Sequence, residues 1–464
     1  MARDNELPPL EQISPLAQFL KQDAVAAGIL LLSALSALVI ANSPLRDWYN
    51  GLWHLEFGFA LAHFELSQSL HHWINDGLMS IFFFMVGLEI KRELLVGELA
   101  SFRKALLPAA AALGGMLAPA VIFALVNTGE PSLRGWGIPM ATDIAFATGC
   151  MALVKFRVPP ALPVFLVALA IVDDLGSVLV IAVFYTEQLA MRPLLVGGFL
   201  ILLSFGLSRL GVRHTFPYVI LGCAVWFHFL QSGVHATIAG VLLAFSIPPD
   251  ARYETPHFSG RMTTLLYRFS EAEDYKNPLL VNARQQTLIR SILRECHHVE
   301  APLQRIEHVL HPFCVFFIMP VFAFANSGVT LDFGAIPSSL ASPVTLGVIL
   351  GLVLGKQVGI MAFSWVTVKL KLADLPENVR WGHVYGLSWL AGIGFTMALF
   401  INELAFAQGG HSAGAGLDAA AVARYAGEAK LGVFVASVIA GTCGVLMLRW
   451  VGRKDSFDHE SNGH

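Results

Sequence analysis

From Ala161 to Tyr185 the chain runs for about twenty-five residues with no charge except two adjacent aspartates at its middle, Asp173 and Asp174. That length crosses a bilayer as an α-helix with slight tilt, and a backbone in hydrocarbon must satisfy its own hydrogen bonds. The two carboxyls therefore lie near the membrane midplane, where each costs at least ~2.5–3.5 kcal/mol on insertion scales. Such residues face a bundle interior, a wet cavity or an ion path. The bland alternative is a pair locked in helix–helix hydrogen bonds, but one partner would satisfy one carboxylate, not two.

The rest of the chain agrees. Of 464 residues, 55% are hydrophobic and only 14% charged, and mean hydropathy is +0.64, whereas soluble domains carry about 25% charged residues. This composition specifies an all-α polytopic membrane protein with the lipid bilayer as its main partner. The net charge of −3 says nothing about partners, and no feature supports nucleic-acid binding. The cysteines are odd in number: Cys150, Cys223, Cys314 and Cys443 fall in apolar segments and Cys296 in a polar loop, so no disulfide framework is expected. No cofactor is expected either.

Twelve apolar segments can be marked, at about 24–42, 70–90, 105–127, 136–154, 161–185, 194–210, 215–230, 233–247, 309–328, 345–368, 382–406 and 431–450. An even count puts both termini on one side. The first run, from Val25 to Ala41, has no cleavage motif and reads as a retained span. Short-loop Lys and Arg set the orientation. One side holds Lys91, Arg92, Arg103, Lys104, Lys155, Arg157, Lys369, Lys371 and Arg380 among others, and the opposite side little beyond Arg46, Arg134, Arg192, Arg424 and Lys430. Both termini are thus expected in the cytoplasm. The organisation is a cytoplasmic tail (1–22), a transmembrane domain (23–454) with a cytoplasmic loop (248–305), and a polar, disordered tail (455–464).

Two connecting stretches stand out. In the loop 248–305, Leu288, Ile289, Ile292 and Leu293 suit an amphipathic helix, although a solvated linker fits equally. On the opposite side, His54 to Leu66 partly alternates through Leu55, Phe57, Phe59, Leu61 and Phe64, with Gly58 available for a turn, as in a short surface hairpin. Its edge offers a pairing surface for a second copy, so a homodimer through 54–66 is expected.

Further midplane groups define the chemistry. Lys356 is central in its segment, and a buried ammonium needs a carboxylate at equal depth. In Gly135-Trp136-Gly137-Ile138-Pro139-Met140-Ala141-Thr142-Asp143 two glycines and a proline favour an interrupted helix that ends on a hydroxyl and a carboxylate. A similar break, Ala391-Gly392-Ile393-Gly394-Phe395-Thr396, occurs late in the chain. Paired breaks in segments 4 and 11 are the signature of a transporter built from inverted repeats. Hard cations such as Na⁺ prefer oxygen ligands, which Asp173, Asp174 and Thr142 supply, and a proton can occupy the same carboxylate oxygens.

Several motifs then fall in order: Trp73-Ile74-Asn75-Asp76, Val86-Gly87-Leu88-Glu89-Ile90-Lys91-Arg92-Glu93-Leu94, Ala141-Thr142-Asp143-Ile144-Ala145-Phe146-Ala147, Val172-Asp173-Asp174-Leu175-Gly176, Ser232-Gly233-Val234-His235-Ala236-Thr237, Glu307-His308-Val309-Leu310-His311-Pro312, Phe322-Ala323-Phe324-Ala325-Asn326 and Gly392-Ile393-Gly394-Phe395-Thr396-Met397. Together they resemble the NhaA family of bacterial sodium/proton antiporters over nearly all twelve segments. The resemblance implies an electrogenic antiporter of the bacterial inner membrane that exports Na⁺ or Li⁺ against entering H⁺, with segments 4 and 11 unwound and crossing. It implies that Asp173 and Asp174 form the ion and proton site, that Thr142 and Asp143 support the ion and offset half-helix dipoles, and that Lys356 pairs with Asp173. It also implies a cytoplasmic pH-sensing region made of Glu89, Arg92, Glu93, Glu307, His308 and His311; an ordinary salt-bridge cluster is the alternative. His235 reads as a packing or modulatory residue, and Asp76, beside Asn75, as a supporting polar group.

Two departures are visible. The family pattern has a proline directly after the lysine, where this chain has Gln357, and a much shorter loop than Pro248 to Arg305. Two rival classes fit the residues less well. An intramembrane aspartyl protease needs carboxylates from separate segments sharing one water, whereas these are adjacent and accompanied by a lysine. A passive cation channel has no need of Lys356. A transporter rather than an enzyme is therefore expected.

Overall fold

The computed structural model describes residues 15–61, 64–154, 157–186, 189–250, 255–272, 283–330, 334, 336–406 and 418–461. Residues 1–14 of the expected N-terminal tail, 462–464 of the C-terminal tail, and 251–254 and 273–282 of the long loop lie outside this set.

The described chain is helical apart from one hairpin. Its helices are α1 (Pro15–Ala41), α2 (Arg46–Trp53), α3 (Leu70–Val96), α4 (Phe102–Val126), α5 (Ile144–Ala152), α6 (Ala161–Phe184), α7 (Met191–Arg209), α8 (Thr215–Leu230), α9 (Ala236–Ser246), α10 (Thr255–Glu271), α11 (Ala283–Val299), α12 (Pro302–Asn326), α13 (Ile336–Leu340), α14 (Pro343–Lys369), α15 (Trp381–Ala391), α16 (Phe395–Ala405) and α17 (Ala419–Ser461). Among the described residues eight helices are long and apolar enough to cross a membrane, or nine if α15 and α16, bent by 46° at their break, count as one span. The expected segments 215–230 and 233–247 appear as the shorter apolar helices α8 and α9, each started by a histidine whose ring nitrogen accepts a backbone N–H: His214 from Phe216, and His235 from Thr237. The segment 136–154 is divided: residues Pro131–Met140 form a 3₁₀ turn series, Ala141 is extended, and regular helix resumes at Ile144. Large apolar side chains such as Leu32, Leu179, Phe199 and Leu202 point outward, as lipid-facing residues do.

The chain falls into two compact units. The first comprises Met1–Met79, Glu93–Gln188 and Cys314–His464. Its spine is α4 against α14, where Gly114 and Gly359 meet so closely that a side chain on either would collide with the backbone of the other. Gly355 meets Pro119 in the same way, one turn along. Up to Gly355 the α14 backbone widens to a π-type turn over Gly351–Gly355, directly ahead of Lys356. The Thr345 hydroxyl donates to Glu428 O at 2.9 Å and ties α14 to α17. α17 continues through Asp455–Ser461, where a disordered tail was expected; extending a formed helix fixes one residue per added hydrogen bond and avoids the cost of nucleation.

The hairpin also belongs to this unit. β1 (Glu56–Leu61) pairs antiparallel with β2 (Phe64–Ser69), in register from Glu56 opposite Ser69 to Leu61 opposite Phe64. Gly58 is not the turn: it lies inside β1 opposite Ser67, because the alternating pattern continues on both sides of it and ladder pairing carries the glycine along.

The second unit comprises Ser80–Arg92 and Leu189–Phe313. Here the Ser80–Arg92 part of α3 packs on α9, with Gly240 against Ser80 O and Gly87 against Ala244. Leu88, Tyr218, Ala244, Ile247, Leu303 and Ile306 form its apolar core. The Lys91 ammonium donates to Phe245 O at 2.7 Å and to Ile247 O, taking up carbonyls that the end of α9 leaves free. The long loop contains the amphipathic helix α11, and α10 as well, joined by Arg261 to Glu295 at 3.1 Å. All five cysteines are free thiols.

Candidate ion site

Lys356, where regular helix resumes after the π-type turn of α14, is wholly buried, and its Nζ lies 2.7 Å from Asp173 Oδ2 on α6. The same ammonium donates to Thr142 Oγ1 at 3.0 Å. Thr142 in turn donates to Ala391 O, at the end of α15, at 2.8 Å. Its hydroxyl is thus engaged as donor and acceptor at once, which joins the two backbone breaks to the charge pair.

The breaks touch directly. Asp143 N–H donates to Ile393 O at 2.7 Å, and Thr396 N–H donates to Asp143 Oδ2 at 2.9 Å, with the Thr396 hydroxyl donating to the same oxygen. Asp143 Oδ1 accepts from Phe146 N–H at 3.0 Å, so the carboxylate caps the N-terminus of α5 and reaches the N-terminus of α16 as well. Orphan N–H groups and positive dipole ends at two helix starts favour a negative group between them. Gly394 fits this crossing because an added side chain would press on Ala141 O and Ala398.

Asp174 is 1% exposed and Asp173 fully buried. Asp173 spends one oxygen on Lys356, while its Oδ1 has no hydrogen-bond partner. Other buried polar side chains share that condition, among them the Ser177 hydroxyl on α6, the Ser364 hydroxyl on α14, and the Gln357 carboxamide, neither of whose polar atoms has a partner. Buried polar groups in folded proteins are nearly always hydrogen-bonded, so such atoms mark places where a small polar species is expected.

The residues singled out for pH sensing divide. In the second unit Arg92 Nη1 lies 2.5 Å from Glu307 Oε1, and Arg92 Nη2 4.0 Å from Glu89 Oε1. His308 Nδ1 is 3.2 Å from Gln304 O, and His311 follows one turn later on α12. In the first unit Glu93 Oε2 accepts from Glu98 N–H at 3.1 Å, a local turn closure. His235 caps α9, its Nδ1 2.7 Å from the Thr237 hydroxyl. Asp76 pairs with His72 at 2.8 Å, and Asn75 Oδ1 accepts from Asn326 at 2.9 Å.

Two features escape the sequence reading. Thr396 supplies both its N–H and its hydroxyl to Asp143. Glu403 pairs with Lys430 at 2.7 Å and lies 3.8 Å from His71, which itself reaches Asn326 at 3.1 Å. A carboxylate inside the apolar segment 382–406 was the available signal for Glu403.

The profile of the Na⁺/H⁺ antiporter 1 family matches residues 17–448. The chain is 45% identical to Na⁺/H⁺ antiporter NhaA 1 of Saccharophagus degradans over 444 residues, which is 96% of this chain and 93% of that protein. It is 45% identical to Na⁺/H⁺ antiporter NhaA of Acidithiobacillus ferrooxidans over 445 residues, 95% of this chain and 98% of that protein. A solved structure of a sodium proton antiporter from Methanocaldococcus jannaschii covers 93% of this chain and 98% of its own, at a TM-score of 0.49 and 13% identity. The chain is a multi-pass membrane protein that belongs to the NhaA family of Na⁺/H⁺ antiporters.

Proposed function

We propose that this protein exports Na⁺, or Li⁺, across the bacterial inner membrane in exchange for a larger number of entering protons, by alternating access, with cation and protons competing for Asp173 and Asp174. The observation that carries this reading is the buried pair between Lys356 and Asp173, 2.7 Å apart and held where two backbone breaks meet. A cation that takes Asp173 displaces the ammonium, which must then lose its proton or find another partner, because an unpaired buried charge is costly. Return of a proton restores the pair. Exchange without leak follows if the site reorients only when occupied. Thr142 and Asp143 hold the breaks together and balance the charge of their helix ends. The protein acts as a transporter and needs no cofactor.

The same reading takes the twelve apolar segments as inverted repeats with segments 4 and 11 interrupted, and places both termini in the cytoplasm by the Lys and Arg asymmetry of the short loops. Glu89, Arg92, Glu93, Glu307, His308 and His311 then lie on the cytoplasmic side as the pH-responsive region. The β1–β2 hairpin offers an edge through which two copies pair as a homodimer. In sealed everted vesicles carrying a pH-gradient dye, added Na⁺ should release the quenching of the dye. No response to either Na⁺ or Li⁺ between mildly acid and alkaline pH would overturn the proposal.

A further inference from the structure

Ser177 sits one turn beyond the two aspartates on α6 and is 1% exposed. Residues three and four apart on a helix are surface neighbours, so Ser177 adjoins both Asp174, at i+3, and Asp173, at i+4. A hydroxyl inside a membrane helix ordinarily returns a hydrogen bond to the carbonyl three or four residues back. Thr148 does so to Ile144 O at 2.9 Å, Thr367 to Phe363 O at 2.8 Å and Ser388 to Tyr385 O at 2.7 Å. Ser177 does not, and its Oγ has no partner. An atom one turn away that shares this condition is Asp173 Oδ1, the oxygen left over from the lysine pair. By contrast the Thr142 hydroxyl is committed on both sides, to Lys356 and to Ala391 O.

Resting on the antiport reading above, we propose that Ser177 is a further ligand of the transported cation, its hydroxyl oxygen joining Asp173 Oδ1 and the Asp174 carboxylate. A small hard ion is held by several oxygens, and a neutral oxygen beside two carboxylates adds a ligand without adding charge. The hydroxyl proton can turn away from the cation and donate to a carboxylate oxygen, so the same group serves the protonated and the cation-loaded site. The α6–α4 packing fixes this arrangement: at Gly176, next to Ser177, an added side chain would collide with the Met116 sulfur, so the helix face around Ser177 is enclosed by protein.

The test uses Ser177→Ala and Ser177→Thr in the full chain, assayed in two ways. In reconstituted vesicles, Ser177→Ala should raise the Na⁺ concentration for half-maximal exchange by about tenfold, as expected for one lost oxygen–charge contact, while the rate at saturating Na⁺ stays near that of wild type. Ser177→Thr, which keeps the oxygen, should recover most of the loss, and the thermal unfolding midpoints of both variants should stay near wild type. In detergent, equilibrium binding of radioactive Na⁺ should weaken in the same order. Unchanged Na⁺ half-saturation and binding in Ser177→Ala overturn the assignment, as does a Thr variant as impaired as the Ala variant. Should wild type move no protons in response to Na⁺, the antiport reading falls, and the binding titration still decides whether Ser177 holds the ion.

Discussion

Lys356 Nζ and Asp173 Oδ2 are 2.7 Å apart with both side chains wholly out of solvent. Removing one partner of such a pair leaves a buried charge uncompensated, at a typical cost of about 3–5 kcal/mol. Lys356→Ala and Asp173→Asn should each lower the thermal unfolding midpoint in detergent. Combining the two substitutions should cost less than the sum of the two losses. Strictly additive losses in this double-mutant cycle would show that the residues are not partners.

Asp143 accepts from N–H groups at the starts of two helices, Phe146 of α5 and Thr396 of α16. Asp143→Asn keeps the shape and loses the charge. Because capping oxygens contribute roughly 0.5–2 kcal/mol each, a modest fall in the unfolding midpoint is expected. A larger effect should appear on exchange, since the carboxylate also balances two helix dipoles beside the proposed ion site. Thermal melts and Na⁺-driven dye responses on the same preparation separate the two; a large melt shift with full exchange would contradict the assigned role.

Gln357 is 5% exposed, and neither polar atom of its carboxamide has a partner. An unsatisfied buried group costs about 1–3 kcal/mol, so Gln357→Met, close in volume and free of that cost, should raise the unfolding midpoint. A lowered midpoint would show that the amide is satisfied by bound water.

Exchange that brings in more protons than the Na⁺ it expels moves net charge, worth ~2.3 kcal/mol per elementary charge per 100 mV. Asp173, Asp174 and Lys356 cluster at one depth, more proton carriers than a one-for-one exchanger needs. At equal pH on both sides, an interior-negative potential set with K⁺ and valinomycin should speed Na⁺ export from vesicles oriented as in the cell. A rate indifferent to the sign of the potential would indicate electroneutral exchange.

The burial of the candidate groups was legible because each lies near the centre of an apolar run of bilayer length, where a charge has to be enclosed by protein. Equal depth pointed Lys356 to an aspartate, and the family resemblance singled out Asp173 among the candidates. The union of Asp143 with Thr396 did not, since these residues are 253 positions apart and no local periodicity carries a long-range hydrogen bond. Ser177 was equally hidden: a serine in a helix usually bonds its own backbone, and only the packed structure reveals that this one does not. The helix α10 was legible too, since Phe258, Met262, Leu265 and Phe269 recur at helical spacing, but the charged residues and prolines around it read as a linker. Gly58 was misplaced since glycine suits a turn better than a strand, and cross-strand pairing overrode that preference.

Whether one carboxylate pair serves both cation and proton is decided by Asp174→Asn in everted vesicles. The variant should insert and melt like wild type and yet abolish Na⁺-dependent proton movement at every pH where wild type responds. Exchange at the wild-type rate in that variant would show that Asp174 is not the shared carboxylate.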